Sequence, residues 1–149
     1  MQCVDEITAL IPHRPPFLWV DKIVSCTGEM IVTEKHIPDN LEVFQGHFPS
    51  NPIMPGVLLC EAIFQSAALL MAKKSDKTSY SDRQLPFLTR ISQAKFKKTV
   101  LPGDNVQIEV KLIEAVASAC YFKGVLKVAG KVAIVVDFAC KMTAPPVKE

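Results

Sequence analysis

The sequence lacks any paired-cysteine motif, although cysteine itself is present. The cysteines are odd in number and scattered along the chain, at Cys3, Cys26, Cys60, Cys120 and Cys140. This scatter excludes a disulfide framework and a CxxC-type zinc site, and it predicts free, mostly buried thiols in a reducing cytoplasm. The histidines are equally dispersed, so we expect no metal and no other cofactor.

Strong net charge and long apolar runs are also missing. The formal net charge is +2, which is too small to predict nucleic-acid binding. Residues 1–10 carry acids early and lack the basic start of a signal peptide. Residues 53–72 form the longest apolar run, but Pro55, Gly56 and Glu61 interrupt it, whereas a membrane span needs about 20 predominantly apolar residues. We therefore expect a soluble protein that contacts neither nucleic acid nor membrane.

The hydrophobic content and the length of the chain predict a single domain spanning residues 1–149. Hydrophobic residues make up 49% of the chain, and a chain of this length buries roughly 68–70% of its unfolded surface. Residues 5–11 predict a short helix, stopped by Pro12. Two β-rich stretches, residues 17–26 and 30–37, flank a Thr-Gly-Glu turn and predict a hairpin.

A long helix is predicted over residues 57–73, where no helix breaker occurs and the sequence is apolar almost all round. Residues 39–55 before it predict an ordered loop, and residues 73–84 after it predict a polar loop. The rest of the chain predicts further strands at 88–96, 106–128 with a break near 117–119, and 132–142. One buried helix and five or six strands predict an α+β domain with a curved antiparallel sheet around the helix.

Glu61 stands alone among apolar residues of the predicted helix. An ionised carboxylate is costly to bury. The side chain therefore either points to solvent or faces a cavity, where desolvation raises its pKa. A raised pKa suits a general acid.

His47 precedes the helix in the segment FQGHFPSNPIMPG. A lone histidine is more often a hydrogen-bonded structural residue than a base. Here Gly46 removes bulk on one side, and Gly56 begins the helix, where free N–H groups favour negative charge. With Glu61, the segment supplies a candidate base, oxyanion donor and acid, as proton chemistry beside a carbonyl requires.

Three stretches resemble the signatures of one enzyme family. They are PHRPPFLWVDKI, FQGHFPSNPIMPGVLLCEAIFQ and AKFKKTVLPGD, and they resemble the β-hydroxyacyl-acyl carrier protein dehydratases of bacterial fatty acid synthesis. The resemblance implies a hotdog fold, an antiparallel sheet wrapped around a long helix. It also implies a lyase that dehydrates (3R)-hydroxyacyl groups held on the phosphopantetheine of acyl carrier protein, in a homodimer often assembled into a trimer of dimers.

The resemblance also implies a role for each site residue. His47 is the base at the substrate α-carbon, Glu61 serves the departing β-hydroxyl, and the Gly56 N–H polarises the thioester carbonyl. In this family the histidine and the carboxylate of one site come from different subunits. Gln65, one turn beyond Glu61, either orients Glu61 or is an ordinary polar residue. Related dehydratase-isomerases carry aspartate at the position of Glu61, so glutamate favours dehydration without isomerisation.

The sequence departs from the family pattern around the expected acyl tunnel. Phe64 stands where the family usually has a small residue, and Ala68 stands where glycine is common. Arg90 and Ser92 stand where the family usually has a glycine and an aspartate. Phe64 therefore either narrows the tunnel or repacks the core. A specialised lipid or polyketide-like pathway is an alternative to primary fatty acid synthesis.

A basic cluster follows, comprising Arg90, Lys95, Lys97 and Lys98. It either steers the acidic carrier protein to the tunnel or is a solvated strand edge protected by lysines. For the other histidines, we expect His36 on an exposed strand and His13 in a structural role. A hotdog acyl thioesterase and a carrier-binding hotdog without turnover remain as alternatives.

Overall fold

The computed structural model describes residues 2–76 and 84–144. Helices and strands lie close to where the sequence predicts them. The helices are α1 (Gln2–Leu10) and α2 (Gly56–Lys74), with a short 3-10 helix at Glu42–Gln45, and the strands are β1 (Lys22–Thr27), β2 (Met30–His36), β3 (Leu85–Phe96), β4 (Asn105–Val116), β5 (Ala119–Val128) and β6 (Lys131–Thr143). Most of the predicted polar loop, residues 77–83, and the tail from residue 145 lie outside the described residues.

The strands form a single antiparallel sheet in the order β1-β2-β4-β5-β6-β3. The predicted hairpin of β1 and β2 is confirmed, and so is the break between β4 and β5. Ala129 and Gly130 join β5 to β6 with φ of 51° and 74°, the left-handed backbone that suits a tight hairpin turn. The sheet wraps α2, which confirms the predicted α+β hotdog fold.

Helix α2 is the core of this arrangement. Most of its side chains are buried, including Ile63, Leu69 and Leu70, which have no exposed surface. The helix is long and apolar enough to cross a membrane by length and composition alone, but 61% of its most apolar window is buried inside the protein. Burial under the sheet accounts for its hydrophobicity, as expected for the core helix of a soluble domain.

The helix lies very close to the sheet at Gly124. A β-carbon at this position would overlap the Ile63 side chain, so glycine allows the close approach. Nearby, the hydroxyls of Thr33 and Ser66 are fully buried and hydrogen-bond to each other at 2.8 Å. Gly124 and the hydrogen bond between Thr33 and Ser66 thus set the distance of α2 from the sheet and its rotation about the helix axis.

Within the part of the chain that the structure describes, strand β3 forms one edge of the sheet, with β6 as its single neighbour. All but its first two residues are exposed. The exposed large apolar side chains on this strand are Phe87, Leu88, Ile91 and Phe96. A long edge strand with exposed apolar side chains is a template for pairing with another strand.

Candidate active site

His47 lies in the loop between the 3-10 helix and α2, and it borders a cavity of about 390 Å³. Its ring stacks on Phe48 with centroids 4.2 Å apart. Its Nδ1 lies 2.8 Å from the carbonyl oxygen of Ile53. A carbonyl only accepts hydrogen bonds, so Nδ1 carries the proton in the neutral ring. The lone pair on Nε2 is left available to take a proton.

The same cavity contains the start of α2. Gly56 is the first residue of the helix, after Pro55 at the N-cap. Backbone N–H groups in a first helical turn have no intrahelical acceptor and carry the positive end of the helix dipole. A β-carbon at Gly56 would lie only 2.7 Å from the Phe96 ring. The structure therefore brings His47 and the Gly56 amide to one cavity, as the sequence predicts.

Glu61 lies one to two turns further along α2 and borders a different cavity, of about 260 Å³. Its side chain is 25% exposed. Burial raises the pKa of this carboxyl, while the hydrogen bond from Gln65 partly opposes the rise. A raised pKa favours the protonated acid, which can donate a proton.

Gln65 connects Glu61 to the rest of the protein. Its side chain is only 1% exposed. The amide nitrogen donates to the carbonyl oxygen of Phe17 at 2.9 Å and to Glu61 Oε1 at 3.3 Å, and its oxygen accepts from the Trp19 backbone N–H at 2.8 Å. Both the nitrogen and the oxygen of this buried amide therefore make hydrogen bonds beside the Glu61 carboxyl. This supports an orienting role for Gln65 rather than that of an ordinary polar residue.

His13 also faces Glu61, a contact that the sequence did not reveal. It borders the same cavity, and its Nε2 lies 3.8 Å from Glu61 Oε1. This distance exceeds the about 3.2 Å reach of a good N–H···O bond. Burial, followed by the charge of Arg14, lowers the pKa of His13, which favours the neutral ring over an ion pair with Glu61.

Phe64 lines the Glu61 cavity and is partly buried. Its ring also packs edge-on against Phe138, with centroids 4.8 Å apart. The position of Phe64 is thus compatible with both the tunnel alternative and the core alternative. Much of the remaining cavity wall is formed by Ala68, Cys140 and residues 85–88 of β3.

The basic residues separate into two groups. Lys97 and Lys98 border the His47 cavity, and Lys95 lies just before them near the end of β3. Arg90 lies in the middle of β3, opposite Ala139, roughly 20 Å from the strand end at about 3.3 Å per residue. The lysines are thus near the His47 cavity, whereas Arg90 lies two residues beyond the part of β3 that walls the Glu61 cavity. His36 is exposed at the end of β2, as predicted, and contacts Asn105.

The two principal candidates, His47 and Glu61, border separate cavities of one chain. One cavity has a proton acceptor beside helix N–H groups, and the other has a carboxyl with a raised pKa beside a buried amide. Neither cavity alone contains both groups.

Comparison with known proteins identifies the family. The family model described as the FabA-like domain matches residues 11–137 of the sequence. The chain belongs to the FabA-like family. Among its relatives, the 3-hydroxyacyl-acyl-carrier-protein dehydratase FabZ of Clostridium perfringens is 40% identical over 133 residues, which cover 89% of this chain and 93% of that protein.

Solved structures of more distant proteins share the fold of this FabA-like chain. One is the dehydratase heterocomplex ApeI:P from Xenorhabdus doucetiae, with a TM-score of 0.75 and 12% identity, covering 92% of this chain and 90% of that one. Another is a hypothetical thioesterase with coenzyme A from Streptococcus pneumoniae, with a TM-score of 0.63 and 11% identity, covering 85% and 88%. At such low identity these two structures bear on the fold alone.

Proposed function

We propose that this protein is a hydro-lyase that converts (3R)-hydroxyacyl-acyl carrier protein to the trans-2-enoyl product in fatty acid or related lipid biosynthesis. The observation that carries the proposal is the complementary state of two groups in a FabA-like chain. His47 Nδ1 faces a backbone carbonyl, which leaves Nε2 of the neutral ring free to accept a proton, and burial raises the pKa of the Glu61 carboxyl beside Gln65. Dehydration needs an unprotonated base and a protonated acid at the same time.

The reaction balances with these groups alone. His47 Nε2 removes a proton from the α-carbon, and the electron pair forms the C=C bond as the β-carbon–oxygen bond breaks. Glu61 gives its proton to the departing hydroxyl, which leaves as water. The Gly56 N–H donates a hydrogen bond to the thioester oxygen while negative charge develops there. The imidazolium and carboxylate left behind exchange protons with solvent before the next cycle.

The functional unit we propose is a homodimer, assembled further into a trimer of dimers. Two observations support the dimer. The edge strand β3 carries exposed apolar side chains and has no second neighbouring strand among residues 2–76 and 84–144, and residues 85–88 of this strand also wall the Glu61 cavity. Pairing β3 with its copy would therefore cover the edge next to Glu61 and could bring His47 of the partner to it.

The substrate arrives on acyl carrier protein, whose phosphopantetheine arm reaches the His47 cavity in this proposal. Lys95, Lys97 and Lys98 are exposed near that cavity and suit an acidic partner. The whole chain acts as one domain in the cytoplasm, where this class of synthesis supplies the substrate.

A thioesterase is the second candidate, because a structural neighbour is described as a hypothetical thioesterase with coenzyme A. Both activities act on an acyl thioester. Dehydration keeps the thioester bond and releases water, whereas hydrolysis consumes water and releases a free thiol.

The test is to incubate the purified protein with (3R)-hydroxybutyryl-carrier protein and to measure enoyl product and free thiol. We expect enoyl product without thiol. We also expect His47→Ala and Glu61→Gln each to lower kcat/KM by about 10²–10⁴-fold with little change in melting temperature. His36→Gln is the matched control and should leave turnover unchanged. Thiol release would favour the thioesterase, and no reaction at all would remove both enzymatic proposals.

A further inference from the structure

The surroundings of His13 favour one tautomer of its ring. Its Nδ1 is buried and has no hydrogen-bond partner among residues 2–76 and 84–144. Its Nε2 points toward a carboxyl oxygen of Glu61, 3.8 Å away. A neutral imidazole has one proton to place, and leaving a buried N–H without an acceptor is costly. The proton therefore belongs on Nε2, where an acceptor is at hand.

Such a donor distinguishes between the two charge states of Glu61. An Nε2–H group stabilises a carboxylate more than a carboxylic acid, because hydrogen bonds to ionised groups are the stronger ones. In the proposed reaction Glu61 becomes a carboxylate at the moment the β-hydroxyl leaves as water. Both side chains line the same cavity, and Nε2 needs to approach the carboxyl oxygen by only about 0.6 Å to reach the range of a good hydrogen bond.

We propose that His13 is a positioning residue that donates a hydrogen bond from Nε2 to Glu61 and stabilises the carboxylate formed when Glu61 has given up its proton. This inference rests on the proposed function for its catalytic meaning, but the His13–Glu61 pairing itself does not. The backbone supports this placement, because the Arg14 guanidinium donates to the carbonyl oxygens of His13 and Ile11 at 2.7 and 2.8 Å. His13 is thereby held at the end of α1, facing α2.

Few other charged or titratable groups face this pair. On α2, Gln65 donates to Glu61 and does not titrate. On β6, Cys140 borders the cavity, and burial raises its pKa to about 12, so its thiol stays neutral. The lining residues of β3, at 85–88, are all apolar. Arg14, next to His13, contributes the one charge that lowers the pKa of the ring.

The test compares His13→Phe, which keeps a planar ring without a donor, with His13→Gln, whose side-chain nitrogen can replace Nε2. The first readout is the alkaline limb of the kcat profile, which reports loss of the Glu61 proton. We expect His13→Phe to move this limb up by roughly one pH unit, since each hydrogen bond lost from a carboxylate raises its pKa by about that amount. His13→Gln should keep the limb near its wild-type position, and so should the distant control His36→Gln.

The second readout does not depend on turnover. Infrared difference titration, with Glu61→Gln as the subtraction reference, follows the Glu61 carboxyl directly in the free enzyme. The same upward shift is expected in His13→Phe, and it can be measured even if the protein proves not to be a dehydratase. An unmoved titration in a folded His13→Phe would overturn the inference. So would a downward shift, which would mean that His13 stabilises the acid form, or a shift in His13→Gln as large as that in His13→Phe.

Discussion

At the scale of single residues, the immediate surroundings of each proposed proton-transfer group tune its chemistry. The Ile53 carbonyl fixes the tautomer of His47 by accepting from Nδ1. The apolar helix around Glu61 raises the pKa of its carboxyl, and Gln65 limits the rise. The chemistry therefore depends on a backbone carbonyl and a buried amide that take no part in proton transfer.

Phe64 is the residue most suited to set the acyl-chain preference. Its ring borders the Glu61 cavity and is only partly buried, so truncation opens space beside the chemistry. We expect Phe64→Ala to shift kcat/KM toward longer or bulkier acyl chains, with up to about 0.8 kcal/mol of burial for each added methylene. The measurement is kcat/KM across a chain-length series.

Phe122 provides the control for Phe64. It stacks on the same partner, Phe138, with centroids 5.2 Å apart, but it is buried and does not border the cavity. Phe122→Ala should cost about 3–5 kcal/mol of stability and leave the length profile unchanged. If Phe64→Ala behaves in the same way, the tunnel role is wrong and Phe64 is a core residue.

At the scale of elements, the close contact between α2 and β5 depends on glycine, which has no side chain, at position 124. The Gly124→Ala methyl group would overlap Ile63, which has no exposed surface and no room to yield. We expect a loss of about 1–3 kcal/mol in the free energy of unfolding. Denaturant unfolding at fixed protein concentration measures it.

Gly46 is the matched control for Gly124. A β-carbon there meets nothing within 4 Å, and its φ of −110° is open to any residue. Gly46→Ala should therefore change stability very little. Equal losses in the two variants would show that the tight packing of α2 on β5 is not what makes Gly124 necessary.

The basic end of β3 gives a second prediction at this scale. Changing Lys97 and Lys98 to glutamate should weaken carrier-protein binding, and the loss should shrink as added salt screens the charges. Lys111 and Lys123 lie opposite each other on β4 and β5, are also exposed, and do not border the His47 cavity. Their change to glutamate has the same effect on net charge and should leave the affinity nearly intact. Equal effects from both pairs would place carrier docking elsewhere.

The elements were largely predictable from sequence because their signals are local. A long apolar stretch after Pro55 predicts the buried helix, and turn residues separate the later strands. The surroundings of the site were not predictable in this way. Gln65 binds Trp19 and Phe17 across more than forty residues, and His13, in the segment after α1, meets Glu61 on α2 across almost fifty residues. Such contacts depend on packing angles, for which the sequence has no periodic signal.

At the scale of the whole molecule, we propose that one active site needs two chains. His47 and Glu61 border different cavities, and β3 exposes an apolar edge beside the second one. A dimer through β3 would explain both features. It would also make each subunit contribute its histidine to one site and its glutamate to the other.

The most direct test mixes two inactive proteins, His47→Ala and Glu61→Gln, after reversible dissociation. In a mixed dimer, one of the two sites has both native groups and the other has neither. With random exchange of equal amounts, we predict recovery of about a quarter of wild-type dehydratase activity, since half the dimers are mixed and half of their sites are intact. Native mass spectrometry verifies the exchange. Mixed dimers that form in the expected proportion but remain inactive would contradict the shared site.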